Sequence, residues 1–218
     1  MAINLVQTLD AAAASDTGTT QTRGVTWTSG NHGIIYPVGW ISGGAPTVSS
    51  VEGSSSGTWT QAIVTDGTSN RREYIYYKEN ITGGSDTVTI TWSGSLGGGR
   101  IVAQEWSGIA KSNSLDDTTT TNGGSSTTPT VALTPATDGC LYVGLMHHLG
   151  ADGTSISVTT VGGVEQSEAE VFMSISIQSL VSTGSQSLTW SLSAGTFWQT
   201  AAACFKPSSN SSGLFLAF

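Results

Sequence analysis

The strongest constraint in this sequence is a two-residue alternation of apolar and polar side chains. Val88, Ile90 and Trp92 alternate with threonine, and the stretches around Ile175 and Trp190 carry the same pattern. Alternation of β-branched and aromatic residues with Ser or Thr is typical of strands that have one buried and one hydrated face. Clusters rich in Gly, Ser, Asn and Asp separate the stretches, as turns do. The pattern predicts an all-β chain.

An internal repeat refines this prediction. Gly33–Trp40 resembles Gly139–Met146, about 106 residues later, and Thr91–Ser93 resembles Thr189–Ser191. The motifs follow one another in the same order in both sets, and an apolar strand closes each set. Two successive sets of strands predict an antiparallel, jelly-roll-like β-sandwich built from two pseudo-repeated strand sets.

Composition suggests where the sandwich begins and ends. We predict an N-terminal arm over residues 1–24, a single β-sandwich domain over 25–207, and a flexible linker with an apolar C-terminal tail over 208–218. One sandwich is favoured because each repeat looks too short to close two sheets. The alternative is two small immunoglobulin-like sandwiches, joined by a linker over Lys111–Thr137.

Charge and hydropathy exclude several classes of partner. The chain has 7 Lys+Arg against 15 Asp+Glu, a net charge of −8, and its basic residues are scattered apart from Arg71-Arg72. Nucleic-acid affinity needs clustered Lys and Arg, so no nucleic acid is expected as a partner. No apolar run approaches the roughly 20 residues of a membrane helix, so no membrane partner is expected either. The amino terminus lacks a signal-peptide pattern, which predicts synthesis in a cytoplasm with no route through the general secretory pathway.

The two cysteines are consistent with a chain that lacks an export signal. Cys140 and Cys204 each lie within an apolar stretch. In a chain without an export signal, a pair of buried free thiols is favoured over a structural disulfide, which stays open as the alternative.

A search for catalytic or metal-binding residues finds no convincing constellation. Glu105 could pair with Glu73, but nothing in the sequence brings two acids into one cleft. His147 and His148 are adjacent on a predicted strand, so their rings point to opposite faces and cannot share a metal ion. His32 lies in a predicted turn, and no nucleophile elbow accompanies it. We therefore predict no enzyme, no catalytic residue, no metal ion and no cofactor, with calcium on the loop aspartates left open as an alternative.

The tryptophans divide into two groups. Trp92, Trp106 and Trp190 end or punctuate strands and are predicted to lie in the core. Trp27 and Trp59 have polar neighbours on both sides, so they are candidates for exposed aromatic residues. Exposed coplanar indoles can stack on sugar rings, which makes a carbohydrate-binding module one alternative function.

The C-terminal tail is the candidate partner-binding segment. An exposed tail with two phenylalanines would promote aggregation, so we expect it to be covered. It could fold back as an edge strand of its own sandwich, or dock on another subunit or partner. The residues in question are Leu214, Phe215, Leu216 and Phe218.

The order of motifs resembles a known class of module. Tyr76–Ile81, a Gly-Gly turn, Thr87–Ser93 and Val102–Gly108 together resemble β-sandwich modules of tailed-phage virion structural proteins, as does the closing Ala202–Pro207. The resemblance covers roughly residues 25–207 and rests on strand patterns. Similar modules occur in bacterial surface proteins. No catalytic residues come with the resemblance.

The resemblance implies a function in the virion. A stand-alone, acidic, hydroxyl-rich jelly roll looks like a capsid decoration (cement) protein, which binds the outer capsid surface and stabilises the shell by linkage. It implies the major capsid protein as partner, a homo-oligomer (taken as a homotrimer), and localisation on the capsid surface of the virion after synthesis in the host cytoplasm. A carbohydrate-binding module and a phage tail or fibre adhesin are the alternatives.

Overall fold

Strands are the regular elements of this protein. The computed structural model describes residues 2–10, 17–41, 44, 46–65, 70–148, 156–159, 165–168 and 173–209, and at residues 10, 156–159, 165–168 and 173–180 it describes the backbone alone. Every regular element in these ranges is a β-strand, and every strand pairing is antiparallel. None of these residues belongs to a helix long and apolar enough to cross a membrane. The all-β, antiparallel prediction is confirmed.

The strands fall into two successive sets. The first set comprises β1 (Asn4–Asp10), β2 (Gly18–Trp27), β3 (His32–Trp40), β4 (Val48–Gly53), β5 (Gly57–Thr58), β6 (Thr60–Val64), β7 (Arg71–Lys78), β8 (Gly84–Leu96) and β9 (Gly98–Ser107). The second set comprises β10 (Leu115–Ser126), β11 (Thr130–Leu133), β12 (Cys140–His148), β13 (Ile156–Thr159), β14 (Glu165–Glu168), β15 (Met173–Val181), β16 (Gln186–Leu192) and β17 (Thr196–Phe205). We call the two sets the first and second halves.

The two halves share one topology. In the first half, an inner sheet has the order β1-β9-β3-β7-β6 and an outer sheet the order β2-β8-β4-β5. In the second half, the inner sheet is β10-β17-β12-β15-β14 and the outer sheet β11-β16-β13. Early strands pair with late ones in nested fashion, β1 with β9, β2 with β8 and β3 with β7, and the second half repeats this nesting. The predicted pseudo-repeat is therefore confirmed, with every strand matched except β5, which has no counterpart in the second half.

The sheets stack in the order outer, inner, inner, outer, with a hydrophobic core between each neighbouring pair. Ile35, Val51 and Ile90 belong to the core between the two sheets of the first half. Leu188 and Trp190 belong to the corresponding core of the second half. A third core, which we call the shared core, lies between the two inner sheets and is built from both halves. Its buried members are Ile3, Ile34, Tyr36, Val38, Ile75, Val102, Trp106, Ile109, Leu141, Val143, Leu145, Ala203 and Phe205.

The stacking explains two kinds of strand sequence. The central inner strands β3, β9 and β12 are buried along nearly their whole length, because both of their faces are covered. Such strands carry continuous runs of buried side chains rather than alternation. The outer strands β8 and β16 alternate between buried and more exposed positions, because one face of each outer sheet meets water.

Three sequence predictions about the chain's organisation differ from the structure. Residues 4–10 and 18–27, within or bordering the predicted arm over 1–24, form β1 and β2, because the backbone there pairs with β9 and β8. Each half forms its own two sheets, so a repeat is long enough to do so after all. The connection between the halves is residues 108–114 rather than Lys111–Thr137, which holds β10 and β11.

The shared core predicts that the two halves unfold together. Phe205 is fully buried in the second half, and its ring contacts those of His32 and Tyr77 in the first, at 5.0 and 5.3 Å between centroids. Phe205→Ala should lower the free energy of unfolding by about 3–5 kcal/mol. Five of the seven tryptophans lie in the first half, so their fluorescence reports on the half that does not carry the substitution.

The measurement is urea denaturation followed by tryptophan fluorescence and by circular dichroism. We expect one transition, with the same lowered midpoint by both signals, for Phe205→Ala and for the control Leu188→Ala in the second half's own core. A fluorescence midpoint that stays at the wild-type value in both variants, or two stable fragments after proteolysis between residues 108 and 114, would contradict the single-domain prediction.

Candidate functional site

A buried contact between a histidine and a glutamate joins the two halves beside the shared core. Nδ1 of His147 on β12 lies 3.1 Å from Oε2 of Glu73 on β7, and the two side chains are 1% and 0% exposed. Glu73 accepts no hydrogen bond from the described residues, so His147 is its closest compensation. A second link crosses the same boundary, since Nη1 of Arg71 donates to the backbone oxygen of His148 at 3.5 Å. Removing either side chain would leave the other polar group buried without its nearest partner, so we expect this contact to stabilise the packing of the two halves.

Glu105, the other acid considered for a carboxylate pair, faces away from Glu73. Val38, the register partner of Glu73, packs in the shared core, whereas Gly33, the register partner of Glu105, lies under Trp59 in the first half's own core. The two carboxylates are therefore on opposite faces of one sheet. No acid–base pair is formed between them.

Instead, the Glu105 carboxylate accepts hydrogen bonds from neighbouring segments of the chain. It accepts hydrogen bonds from the side-chain amides of Gln7 and Asn31 and from the backbone N–H of Thr28, at 2.5, 2.6 and 2.9 Å. These donors come from β1 and from the turn between β2 and β3. Three charge-assisted hydrogen bonds compensate a fully buried carboxylate and fix that turn.

Trp27 and Trp59, the predicted exposed aromatic residues, are buried at 3% exposure each, so that prediction is wrong. Their rings lie 5.7 Å apart in the first half's own core. The indole N–H of Trp27 donates to Asp86 at 3.1 Å, and that of Trp59 donates to the hydroxyl of Ser56 at 3.1 Å. Burial is tolerated because both polar atoms have partners. The exposed tryptophan is Trp40, at 37%.

Asp86 is the centre of this polar network. Besides Trp27, its carboxylate accepts hydrogen bonds from the Ser56 and Ser54 hydroxyls and the Ser55 backbone N–H, at 2.7, 3.0 and 2.8 Å. Burial alone would raise the pKa of Asp86, but the bonds from Ser56, Ser55, Ser54 and Trp27 favour the charged form and lower it overall. The network ties the turn between β4 and β5 to the start of β8.

His32, predicted in a turn, is the first residue of β3 and takes part in a hydrogen-bonded chain. The Ser114 hydroxyl and backbone N–H both donate to Oε1 of Glu79, at 2.7 and 2.6 Å, and Nε2 of His32 lies 3.0 Å from that hydroxyl oxygen. Because the serine hydrogen is donated to Glu79, His32 must be the donor to Ser114. The imidazole is therefore not placed to take the serine proton, as a nucleophile's base would be. Burial lowers the pKa of His32 to about 3.

Other predicted site residues are placed as follows. His147 faces Glu73 while the next residue, His148, points to the other face of the same strand, as the alternation predicted.

Cys140 and Cys204 are buried free thiols, which confirms the favoured prediction. In the described part of the chain, no three His, Cys, Asp or Glu side chains are grouped so as to hold a metal ion. The tail residues Leu214, Phe215, Leu216 and Phe218 lie outside the described residues.

The most regular exposed feature is the hydrated face of the first half's outer sheet, which we call the hydroxyl face. Its residues lie in register across three strands: Thr20 and Ser50 flank Thr91, and Thr22 and Glu52 flank Thr89. Neighbouring strands are about 4.8 Å apart and same-face residues along a strand about 6.7 Å apart, so the hydroxyls form a lattice. Its members are Thr20, Thr22, Thr26, Ser50, Glu52, Thr87, Thr89 and Thr91.

Sequence reasoning identified the β8 strand of this lattice, but it assigned most of β2 to the N-terminal arm and did not single the lattice out as a site. The signal was the spacing of threonine at every second position in Thr87–Thr91 and, with Gly24 in place of one threonine, in Thr20–Thr26. What the sequence could not supply was the register that sets the two threonine rows side by side, because β2 and β8 are about 70 residues apart in the chain.

We expect the Asp86 network to contribute measurably to stability. Asp86→Asn replaces one acceptor oxygen by an N–H donor that faces other donors, so the free energy of unfolding should fall by about 1.5–3 kcal/mol in urea denaturation. Asp138→Asn is the matched control, because Asp138 is exposed and accepts a single bond, from the Thr183 backbone N–H. Equal losses in the two variants would show that the network adds nothing beyond a surface contact.

The buried histidines predict that acid destabilises the fold. The pKa of His32 is lowered from 6.5 to about 3 by burial, and that of His148 to about 4 by burial and by the charges of Arg71 and His147. The unfolded chain takes up these protons near pH 6.5 and the folded chain does not, so stability is complete above pH 6.5. It decreases from there towards pH 3, by up to about 1.4 kcal/mol per pH unit for one such group.

Urea denaturation at pH 7 and pH 5 measures this effect. His32→Gln keeps a side-chain N–H that can donate to Ser114 but does not titrate, so its loss of stability between the two pH values should be smaller than that of the wild type. An unchanged loss would mean that His32 does not cause the pH dependence.

Comparison with known proteins finds no family model that matches the chain. It likewise finds no curated protein and no solved structure similar to it. The fold and the arrangement of side chains therefore carry the functional argument.

Proposed function

We propose that this chain is a non-enzymatic structural protein of a virion: a capsid decoration (cement) protein that binds the outer capsid surface and stabilises the shell. The partner in this proposal is the major capsid protein, and the protein acts as a homo-oligomer, taken as a homotrimer. The resemblance of its strand motifs to tailed-phage modules gives the class of particle, and the hydroxyl face is the observation that carries the proposal.

The hydroxyl face suits adhesion to a large, ordered surface. Each hydroxyl donates and accepts, so it can match either kind of group on a partner, and a single such bond contributes only about 0.5–1.5 kcal/mol. Many weak contacts made together by one rigid face, repeated in each copy of an oligomer, give a high avidity. Glu52 is the one charged member of the face, so little charge has to be desolvated on docking.

The acidic and hydroxyl side chains of the interior support the same function. Glu73, Glu105, Asp86 and Ser114 are capable of acid–base or nucleophilic chemistry in other settings. Here each is committed to a contact that fixes a turn or joins the halves. A protein whose reactive side chains are used in contacts that make it rigid is well suited to hold another structure in place. Docking of such a rigid body costs little conformational entropy.

The location of the protein in purified particles tests the proposal directly. Mass spectrometry should detect it in mature virions, and cryo-microscopy should place it on the outside of the capsid. Its absence from particles would refute the proposal. Its presence in the tail, or binding to host polysaccharide without any association with capsids, would replace it by the adhesin or the carbohydrate-binding alternative, for which the exposed Trp40 is the first residue to test.

A charge placed in the hydroxyl face should weaken docking. We expect Thr22→Lys to reduce binding to capsids lacking the protein by at least about tenfold in a co-sedimentation assay, because the ammonium must be desolvated without a partner. Ser187→Lys, on the outer sheet of the second half, is the matched control and should bind as the wild type does. If Ser187→Lys alone weakens binding, the docking face belongs to the second half.

A further inference from the structure

The first half has a lateral opening between its two sheets, bordered by β1 and β2. β1 is an edge strand of the inner sheet, and β2 is an edge strand of the outer sheet. In the described part of the chain, each of them pairs with a strand on one side only, β1 with β9 and β2 with β8. The free edge of a strand presents backbone N–H and C=O groups with which a further strand can pair.

A cavity of about 120 Å³ lies inside this opening. Leu9 of β1 and the exposed Gly24 of β2 lie at its rim, and the buried residues Ile35 and Ile101 line its interior. Ala103 also lines the cavity and lies in register between Leu9 and Ile35, so its small side chain leaves the space unfilled. The edges of the two sheets therefore enclose an apolar hole that is open to the outside.

The polar groups beside the opening already have partners. Nε2 of Gln7 donates to the backbone oxygen of Thr26 at 2.7 Å and so bridges β1 and β2 at one end. The guanidinium of Arg23, which also lines the cavity, donates from Nη1 to the backbone oxygen of Thr22 at 2.6 Å. The site therefore suits an uncharged, apolar occupant, whose side chain gains free energy by leaving water.

We propose that this opening binds residues 214–218 of the same chain as an added strand, with the side chain of Leu216 in the cavity. The segment has the sequence Leu-Phe-Leu-Ala-Phe and contains no Asp, Glu, Lys or Arg. In a strand, Leu214, Leu216 and Phe218 share one face. The volume selects leucine, because a cavity of about 150 Å³ in another protein holds benzene, whereas about 120 Å³ suits a smaller, aliphatic group.

The chain approaches the opening from the right place and in the right direction. The backbone N–H of Ser208 donates to the oxygen of Gly108 at 2.7 Å. Gly108 directly follows β9, whose last residue is paired with Asn4, the first residue of β1. The bridge between Ile109 and Pro207 is antiparallel, as is the pairing of β1 with β9, so the chain at Ser208 runs in the direction of β1.

The length of the segment selects Leu216 over Leu214. The rim residue Leu9 lies near the far end of β1, and the free edge of β1 is two strand spacings from β9, which makes a distance of about 20 Å from Ser208. The chain from Ser208 to Leu216 can span about 27 Å, whereas the chain from Ser208 to Leu214 spans about 20 Å only when it is fully straight. Leu216 therefore reaches the cavity with chain to spare.

Oxidative cross-linking of the full chain tests the docking. Gly24→Cys places a thiol at the rim, where an added Cβ meets nothing within 4 Å, and Ala217→Cys places one next to Leu216. With copper phenanthroline as the oxidant, we expect this double variant to form an intramolecular disulfide, seen on a non-reducing gel and located by mass spectrometry. The natural cysteines, Cys140 and Cys204, are buried.

The control places the first thiol on the other half. Ser187→Cys with Ala217→Cys puts it on the exposed face of the second half's outer sheet. We expect at least about tenfold less cross-linking there than at Gly24, because docking raises the effective concentration of the tail thiol at the opening alone. Equal yields at the two positions would overturn the proposal.

Further substitutions in the cross-linking variant assign the contact to Leu216 and the cavity. Leu216→Asp should lower the yield at least about tenfold, because a carboxylate would have to enter an apolar cavity. Phe215→Asp, the same change on the opposite face of the strand, is the matched control and should leave the yield unchanged. Ala103→Leu should lower the yield by filling the cavity, and Ala103→Val should lower it less if the leucine variant does not fold.

Three other results would overturn the proposal. A disulfide-linked dimer in place of the intramolecular product would assign the opening to the tail of a second copy. Equal yields for Leu216→Asp and Phe215→Asp would exclude Leu216 as the inserted side chain. An undiminished yield in both Ala103 variants would exclude the cavity as the docking site. The docking takes place within one chain, so absence of the protein from virions would leave it unaffected.

Discussion

The shared core between the two inner sheets is the interaction on which the rest of the structure depends. It covers one face of each inner sheet, and the outer sheets cover the other faces. Strands β3, β9 and β12 are consequently buried on both sides, and most of their side chains are apolar or small. The exceptions are the buried polar residues His32, Arg100, Gln104, Glu105, His147 and His148. Leu145 and Phe205 of one half pack with Ile34 and Tyr36 of the other, so neither half has a complete surface of its own.

Covering both faces of a sheet also determines what happens to its polar residues. A polar side chain on an inner strand cannot reach water, so it must find a partner within the layers. The Tyr36 hydroxyl donates to Gln104 at 2.8 Å, and Glu73 faces His147 across the boundary between the halves. The ionisable residues considered as catalytic candidates in the sequence are thus buried residues that need polar partners inside the four-layer stack.

The sequence predicts the strands, their alternation and the repeat, because these depend on residues close together in the chain. It does not predict the environment of Trp27, whose local pattern fits an exposed or a buried ring equally well; the deciding contact is with Asp86, 59 residues away. It also suggests an arm at residues 1–24, because the stretch from Asp10 to Thr22 is small and polar, whereas pairing with the distant strands β9 and β8 makes β1 and β2 part of the sheets. One available signal was missed: the continuous apolar runs Ile34–Trp40 and Cys140–Met146 already indicate strands buried on both faces.

The four-layer stack also accounts for the low charge of the chain, of which 10% of residues are Asp, Glu, Lys or Arg. Only the outer faces of two sheets, the sheet edges and the turns meet water, so few strand positions can carry an exposed charge at all. On the first half's outer sheet, however, even those positions hold Thr20, Thr22, Thr87 and Thr89, where Lys or Glu would be equally well hydrated. Architecture explains why few strand positions carry a charge, but it does not explain why Glu52 is the one charged member of this face. That composition is what the proposed docking of the hydroxyl face is meant to account for.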